Sequence, residues 1–120
     1  MPHCIIEYSQ NLEQEVPPAD LLEAVKEACM ASSLFALADI KLRSNAYKSF
    51  VTGGQEDAFV HVTIRMLSGR STEQRQQLSH LILETLTRFS LKNVSFSAEI
   101  CEMERETYAK KVVLSSSNLS

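Results

Sequence analysis

The sequence predicts an α+β domain in which two fused β-α-β units form one four-stranded sheet with two helices on one face. The order strand, helix, strand occurs twice, over about residues 2–46 and again over about residues 58–105. In each unit, apolar residues alternate with a period of two in the strands and recur at helical spacing between them. Because a β-α-β crossover is right-handed in nearly all proteins, we expect both helices on the same side of the sheet.

The first unit begins with a predicted strand at residues 3–8, which is largely apolar. A polar loop then ends at Pro17 and Pro18, and a helix is expected from about residue 19 or 20. Asp20 is the expected N-cap, because its carboxylate can accept a hydrogen bond from a free backbone N–H group of the first turn. The buried stripe of this helix is expected to contain Leu21, Leu22, Val25, Ala28, Cys29 and Ser32.

The second predicted strand, residues 39–45, carries two cations on one side. Strand alternation places Lys41 and Arg43 on one face and Ile40 and Leu42 on the other. The two cations are therefore candidates for binding an anion together.

The second unit follows a loop or hairpin at residues 47–57 and begins with a strongly β-like stretch at 58–67. Ser71 is the predicted N-cap of the next helix, and Gln74 completes a capping box three residues later. The buried stripe is expected to contain Leu78, Leu81, Ile82 and Phe89, with Leu86 at its edge. The closing strand, residues 93–102, alternates apolar and polar side chains.

The composition is that of an ordinary globular domain. The 120 residues, 44% hydrophobic and 22% charged, predict a single domain over residues 1–112 with a polar tail at 113–120. The net charge of −3 argues against non-specific nucleic-acid binding, and no apolar run approaches the ~20 residues of a membrane span. The N-terminus lacks the pattern of a signal peptide, which predicts a cytoplasmic protein. The three cysteines are widely spaced, which favours neither a disulfide framework nor a zinc site.

One face of the predicted sheet has no cover within the chain, because both helices are expected on the other face. The strands are apolar enough that this second face should be buried by other subunits. We therefore expect a homo-oligomer.

Pro2, directly behind Met1, is the most distinctive candidate functional residue. Removal of Met1 would turn Pro2 into a free secondary amine, and a terminal amine is one of the few groups that titrate near neutrality. This amine would lie at the start of a strand, and a terminus anchored in a sheet is held in place. A fixed, tunable base is what proton-transfer chemistry requires. The sequence is compatible with a chain that keeps Met1 and with one that loses it.

The order and spacing of several segments resemble the 4-oxalocrotonate tautomerase superfamily. Residues 67–75 (LSGRSTEQR) are similar to its turn and helix start, and residues 100–103 (ICEM) to its strand end. Together with the start Met1-Pro2-His3 and the central segment 57–62 (DAFVHV), they resemble the 5-carboxymethyl-2-hydroxymuconate delta-isomerase branch of that superfamily. The resemblance spans about residues 2–103 and implies a tautomerase fold and a homotrimer.

The resemblance also implies an activity. An enzyme of this family ketonises an unsaturated 2-hydroxy acid in aromatic-compound breakdown, here homoprotocatechuate degradation, without cofactor or metal. Pro2 would be the proton-transfer base, and Arg70 would bind a substrate carboxylate with its guanidinium. Lys41 stands where relatives usually carry arginine, so it or Arg43 would be a second carboxylate-binding residue.

Two alternatives stay open at this stage: a phenylpyruvate-type keto–enol tautomerase, and a non-catalytic trimeric binding protein on the same scaffold. His3 could help to shape the site, and Phe50 and Phe59 either line its pocket or belong to the core. His61 is expected to be a hydrogen-bonded structural residue.

Overall fold

The computed structural model describes residues 1–115 and contains four strands and two α-helices in that part of the chain. Short 3₁₀ turns occupy residues 10–14, 37–39 and 87–89. The elements in chain order are β1 (His3–Ser9), α1 (Pro18–Ala31), β2 (Lys41–Tyr47), β3 (Ala58–Leu67), α2 (Thr72–Leu86) and β4 (Val94–Met103). Of the predicted tail, residues 116–120 lie outside the described residues.

The four strands form one mixed sheet in the order β2-β1-β3-β4. Each β-α-β unit contributes a parallel pair, β1 with β2 and β3 with β4, and the two units join through the antiparallel pair β1 and β3. The predicted α+β fold with two fused units is therefore confirmed.

The hydrophobic core lies between the sheet and the two helices, which pack on the same face and against each other. Alternate residues of the two central strands are fully buried there, as the period of two predicts. Leu86 is completely buried, so its predicted position at the edge of the helical stripe is wrong. The largest fully buried side chains are Ile6, Leu12, Leu21, Ile64, Met66, Leu78, Ile82 and Leu86.

The first helix starts earlier than predicted. Pro17 is at the N-cap and Pro18 at the first helical position, so Asp20 lies within the first turn and is not the N-cap. Proline suits the first position because its φ is preset for the helix and its missing N–H needs no partner there. The carboxylate of Asp20 still faces the positive end of the helix dipole. In the second helix the Ser71–Gln74 capping box is present as predicted.

The second strand is shifted by two residues relative to the prediction. Residues 37–39 form a 3₁₀ turn, and β2 runs on to Tyr47, which pairs with Ser9. Lys41 and Arg43 do share one face and are exposed.

The outer face of the sheet, opposite the helices, is largely polar, so the expectation of an apolar face is wrong. His61 Nδ1 lies 2.6 Å from Ser97 Oγ, and Thr63 Oγ1 donates to Glu99 at 3.2 Å. His61 is thus hydrogen-bonded, as predicted. Half-buried His61 and Thr63 are thus linked to exposed polar side chains of the neighbouring strand at this face.

No helix within residues 1–115 has the length and hydropathy needed to span a membrane.

Candidate active site

Pro2 lies buried at the start of β1, where the sheet fixes its backbone. Its carbonyl oxygen accepts a hydrogen bond from the Lys41 backbone N–H at 3.0 Å, and its side chain is almost completely buried. Parallel pairing of β1 with β2 continues directly from this contact. The first residues of the chain are therefore held in a defined position, as the sequence predicts.

Met1 is attached to Pro2 in this structure, and its ammonium group donates to the backbone carbonyl of Asp39 at 3.0 Å. The nitrogen of Pro2 is then a tertiary amide and has no basic lone pair. Partial burial lowers the pKa of the Met1 amine, and the nearby charges of Lys110 and Lys41 lower it further, while Asp39 acts in the opposite sense. The Met1 amine therefore lies in surroundings that favour its neutral form.

A small cleft of about 140 Å³ opens beside Met1. Its apolar walls come from the segment 34–36, which follows α1, and from the end of β3 at Met66 and Leu67. Arg70, Arg105 and Asp39 also line it. The cleft thus combines an apolar wall with two arginines and one aspartate next to the chain terminus.

Arg70 is positioned by the turn between β3 and α2. Gly69 in this turn has φ +125°, a backbone conformation that side-chain-bearing residues rarely adopt. Arg70 is half-buried, and its Nη2 donates to the carbonyl oxygen of Leu34 at 2.6 Å. Its Nε is buried without a hydrogen-bond partner. Its Nη1 makes no hydrogen bond to residues 1–115, so Arg70 keeps donor capacity at this nitrogen for a ligand in the cleft.

Lys41 and Arg43 do not line this cleft. The Nζ of Lys41 donates to the Ala38 carbonyl at 3.2 Å, and Arg43 Nη1 lies 3.2 Å from His3 Nδ1 on the outer face of the sheet. The structure therefore brings Arg70 to the chain terminus from one side and places Lys41 and Arg43 on the adjacent outer face.

His3 links Arg43 to Tyr108, which lies in the segment that follows β4. A guanidinium group can only donate, so His3 Nδ1 accepts from Arg43 and the ring proton resides on Nε2. Nε2 then donates to the Tyr108 hydroxyl at 3.0 Å. Burial lowers the pKa of His3, and the charge of Arg43 adds to this effect. The ring next to Pro2 is therefore held neutral in one tautomer.

Residues 104–110, which follow β4 without forming a helix or strand, contribute side chains that the sequence analysis missed. Arg105 Nε donates to the Ser68 carbonyl at 2.5 Å, and Lys110 Nζ lies 3.5 Å from Asp39 Oδ1. No local periodicity marks this segment. The signal that could have found it is topological: β3 and β4 are parallel neighbours, so the residues after β4 must lie beside the turn after β3.

Phe50 and Phe59 lie elsewhere. Their rings contact each other with centroids 5.7 Å apart, and they line a separate concavity with residues 51, 52, 56 and 95. They are not part of the cleft beside Met1.

Comparison with known proteins assigns the family. Residues 2–116 match the family model described as 5-carboxymethyl-2-hydroxymuconate isomerase. A curated relative from Escherichia coli, named 5-carboxymethyl-2-hydroxymuconate Delta-isomerase, is 35% identical over 88 residues, which are 72% of this chain and 70% of the relative.

Solved structures agree with this assignment. A 5-carboxymethyl-2-hydroxymuconate isomerase from Deinococcus radiodurans R1 is 26% identical and superposes with a TM-score of 0.77, covering 92% of this chain and 88% of its own. A fused 4-OT wild-type symmetric trimer, 19% identical, shares the fold with a TM-score of 0.73 over 96% of both chains. The predicted superfamily and enzyme class are confirmed, and the alternative of a non-catalytic protein is set aside. The protein is an isomerase with the tautomerase fold, and it belongs to the 5-carboxymethyl-2-hydroxymuconate isomerase family.

Proposed function

We propose that the protein ketonises an unsaturated 2-hydroxy acid such as 5-carboxymethyl-2-hydroxymuconate, with Pro2 as the base after Met1 has been removed. The observation that carries this proposal is the burial of Pro2 at the anchored start of β1, next to a cleft lined by Arg70. The E. coli relative is named for an isomerisation of this acid. We further propose that the reaction takes place in the cytoplasm, in homoprotocatechuate degradation.

The proposed reaction is a proton relocation. The secondary amine of Pro2 accepts the proton of the substrate 2-hydroxyl, the electrons of that O–H bond form the 2-oxo group, and the carbon–carbon double bonds shift along the chain. Pro2 then returns the proton to a distant carbon, which gives the conjugated 2-oxo isomer. Atoms and charge balance without another reactant. The amine of Pro2 must be neutral at working pH. Burial and the charges of Lys110 and Lys41 lower the pKa of the Met1 amine one residue away, which supports a neutral amine in this position.

Arg70 is the proposed binder of a substrate carboxylate. Its guanidinium can bind a carboxylate at two points, and its Nη1 makes no hydrogen bond within the described chain. Lys41 and Arg43 are proposed to attract a further carboxylate from the outer face, since the charge of Lys41 acts on the terminal amine. In this role Lys41 would act as a point charge without the planar fork of arginine.

Removal of Met1 should switch the activity on. We expect protein that keeps a residue in front of Pro2, made with an N-terminal extension that a protease can release, to show no ketonisation of 5-carboxymethyl-2-hydroxymuconate above background. Release of the extension, so that the chain starts at Pro2, should restore activity in the same sample because the nitrogen becomes a secondary amine. Intact mass measures the processing and ultraviolet absorbance measures the ketonisation.

A chain that starts at Met1 and is fully active would contradict this mechanism. An extended chain released to start at Met1 serves as the control, since it differs from the active form by one residue.

We also propose that the enzyme is a homotrimer. The fused 4-OT structure that shares this fold is a symmetric trimer, and the outer face of the sheet offers cross-strand polar groups and the half-buried Ile5 for contact with other subunits.

A further inference from the structure

Two guanidinium groups without a counter-ion share the cleft beside Met1. Arg70 and Arg105 both line it, and neither lies within ion-pair distance of a carboxylate in residues 1–115. Of the other four arginines, Arg75 lies 3.8 Å from Glu102 and Arg88 lies 3.3 Å from Glu84, whereas Arg43 and Arg65 have no carboxylate partner in residues 1–115. Asp39 also lines the cleft, but its carboxylate lies 3.5 Å from Lys110 Nζ, so the cleft keeps two guanidinium groups that are not ion-paired within the described chain.

The same turn positions both arginines. Arg70 follows Gly69 directly, while Arg105 reaches the turn from the other side through its hydrogen bond to the Ser68 carbonyl. A Cβ atom at Gly69 would come within 3.3 Å of the Arg105 terminal nitrogen, so the absence of a side chain lets this guanidinium lie across the turn. The Ser68 bond uses Nε of Arg105 and leaves the two terminal nitrogens for a ligand.

The chemistry of such a pair favours a ligand with two anionic groups. Each guanidinium can bind one carboxylate, and two cations on one small cleft attract a dianion more strongly than a monoanion. We propose that Arg105 is a specificity-determining residue that binds a second substrate carboxylate, so that the cleft selects acids with more than one carboxylate. This inference rests on the proposed function, because it concerns the same site.

Binding of two unreactive acids tests the inference without relying on turnover. The trans,trans forms of muconate and sorbate are both six-carbon dienes, and they differ in that muconate carries a carboxylate at each end. Neither has a 2-hydroxyl group, so neither can be ketonised. We expect processed wild-type protein to bind muconate at least about 10-fold more tightly than sorbate in calorimetry, because a hydrogen-bonded charge is removed in sorbate.

Arg105→Gln should lower this preference for muconate to less than about 3-fold, because it should weaken the binding of muconate and leave that of sorbate unchanged. Arg105→Lys should give an intermediate preference, because lysine keeps the charge but cannot bind a carboxylate at two points. Arg88→Gln is the matched control: it makes the same charge change on an exposed arginine outside the cleft and should keep the wild-type preference. Because Arg105 is exposed, loss of its hydrogen bond to the Ser68 carbonyl should shift the denaturant midpoint only slightly, and the variants should be fully folded under the binding conditions.

Wild-type preference retained in Arg105→Gln would overturn the inference, as would equal binding of the two acids by wild type or no measurable binding of either. If the proposed function alone is wrong, processed wild-type protein should still bind muconate more tightly than sorbate but should show no ketonisation of 5-carboxymethyl-2-hydroxymuconate.

Discussion

Pro2→Ala, in protein whose Met1 has been removed, should lower kcat for ketonisation by about 10²-fold or more. General acid–base groups contribute roughly 10²- to 10⁴-fold, and Pro2 is the proposed base. The variant keeps a terminal amine, but a primary amine without the ring is not fixed by the buried pocket that holds Pro2. Steady-state kinetics with intact-mass confirmation of Met1 removal measure the effect.

The stability of the Pro2→Ala variant separates catalysis from folding. We expect a loss in unfolding free energy of less than about 2 kcal/mol, since the substitution removes a small apolar ring and adds freedom to the unfolded chain. Pro18→Ala is the matched control, because it replaces the proline that begins α1 and should leave kcat unchanged. Wild-type turnover in processed Pro2→Ala protein would show that another group moves the proton.

Arg70→Ala should lower kcat/KM by about 10- to 100-fold, chiefly through a higher KM. The loss corresponds to about 1.5–3 kcal/mol, the usual contribution of a hydrogen bond to a charged group. Arg70→Lys should recover only part of this loss, because the ammonium keeps the charge but cannot bind a carboxylate at two points. Initial rates over a range of substrate concentrations separate the change in KM from any change in kcat.

Arg70 also has a structural contact, so its variants need a folding control. The bond from Nη2 to the Leu34 carbonyl holds the segment that follows α1, and its loss should destabilise the fold by about 1 kcal/mol. Arg88→Ala, on an exposed arginine of the second unit outside the cleft, should leave both KM and kcat as in wild type. An unchanged KM in folded Arg70→Ala protein would remove Arg70 from the binding site.

The fold was predictable where one local pattern dominates. The central strands alternate clearly because one face of each is buried, and the Ser71–Gln74 spacing marks the start of α2. The start of β2 was misjudged because residues 39 and 40 alternate like a strand, although a 3₁₀ turn precedes Lys41. Leu86 was misjudged because its full burial depends on how two helices pack on one sheet, which a single-helix stripe does not describe.

The candidate site was predictable only in part, because its residues come from distant segments. Pro2 and Arg70 stand at element starts, where sequence signals are strong, and the structure places the cleft beside both segments. Arg105, Tyr108 and Lys110 follow the last strand without any periodic pattern. Their positions depend on the register between β3 and β4 and on long-range bonds to Ser68, His3 and Asp39.

Pro2 and Asp57 occupy corresponding positions, each directly before the first strand of its β-α-β unit, but their backbone nitrogens differ chemically. Pro2 precedes β1, whereas Asp57 precedes β3 and uses its backbone N–H to donate to the Asn93 carbonyl at 3.0 Å. The nitrogen of Asp57 lies within the chain and stays an amide, so only the first unit can present a free amine after processing. With Pro2 as the proposed base, each polypeptide then carries one reactive end group, although its architecture is duplicated.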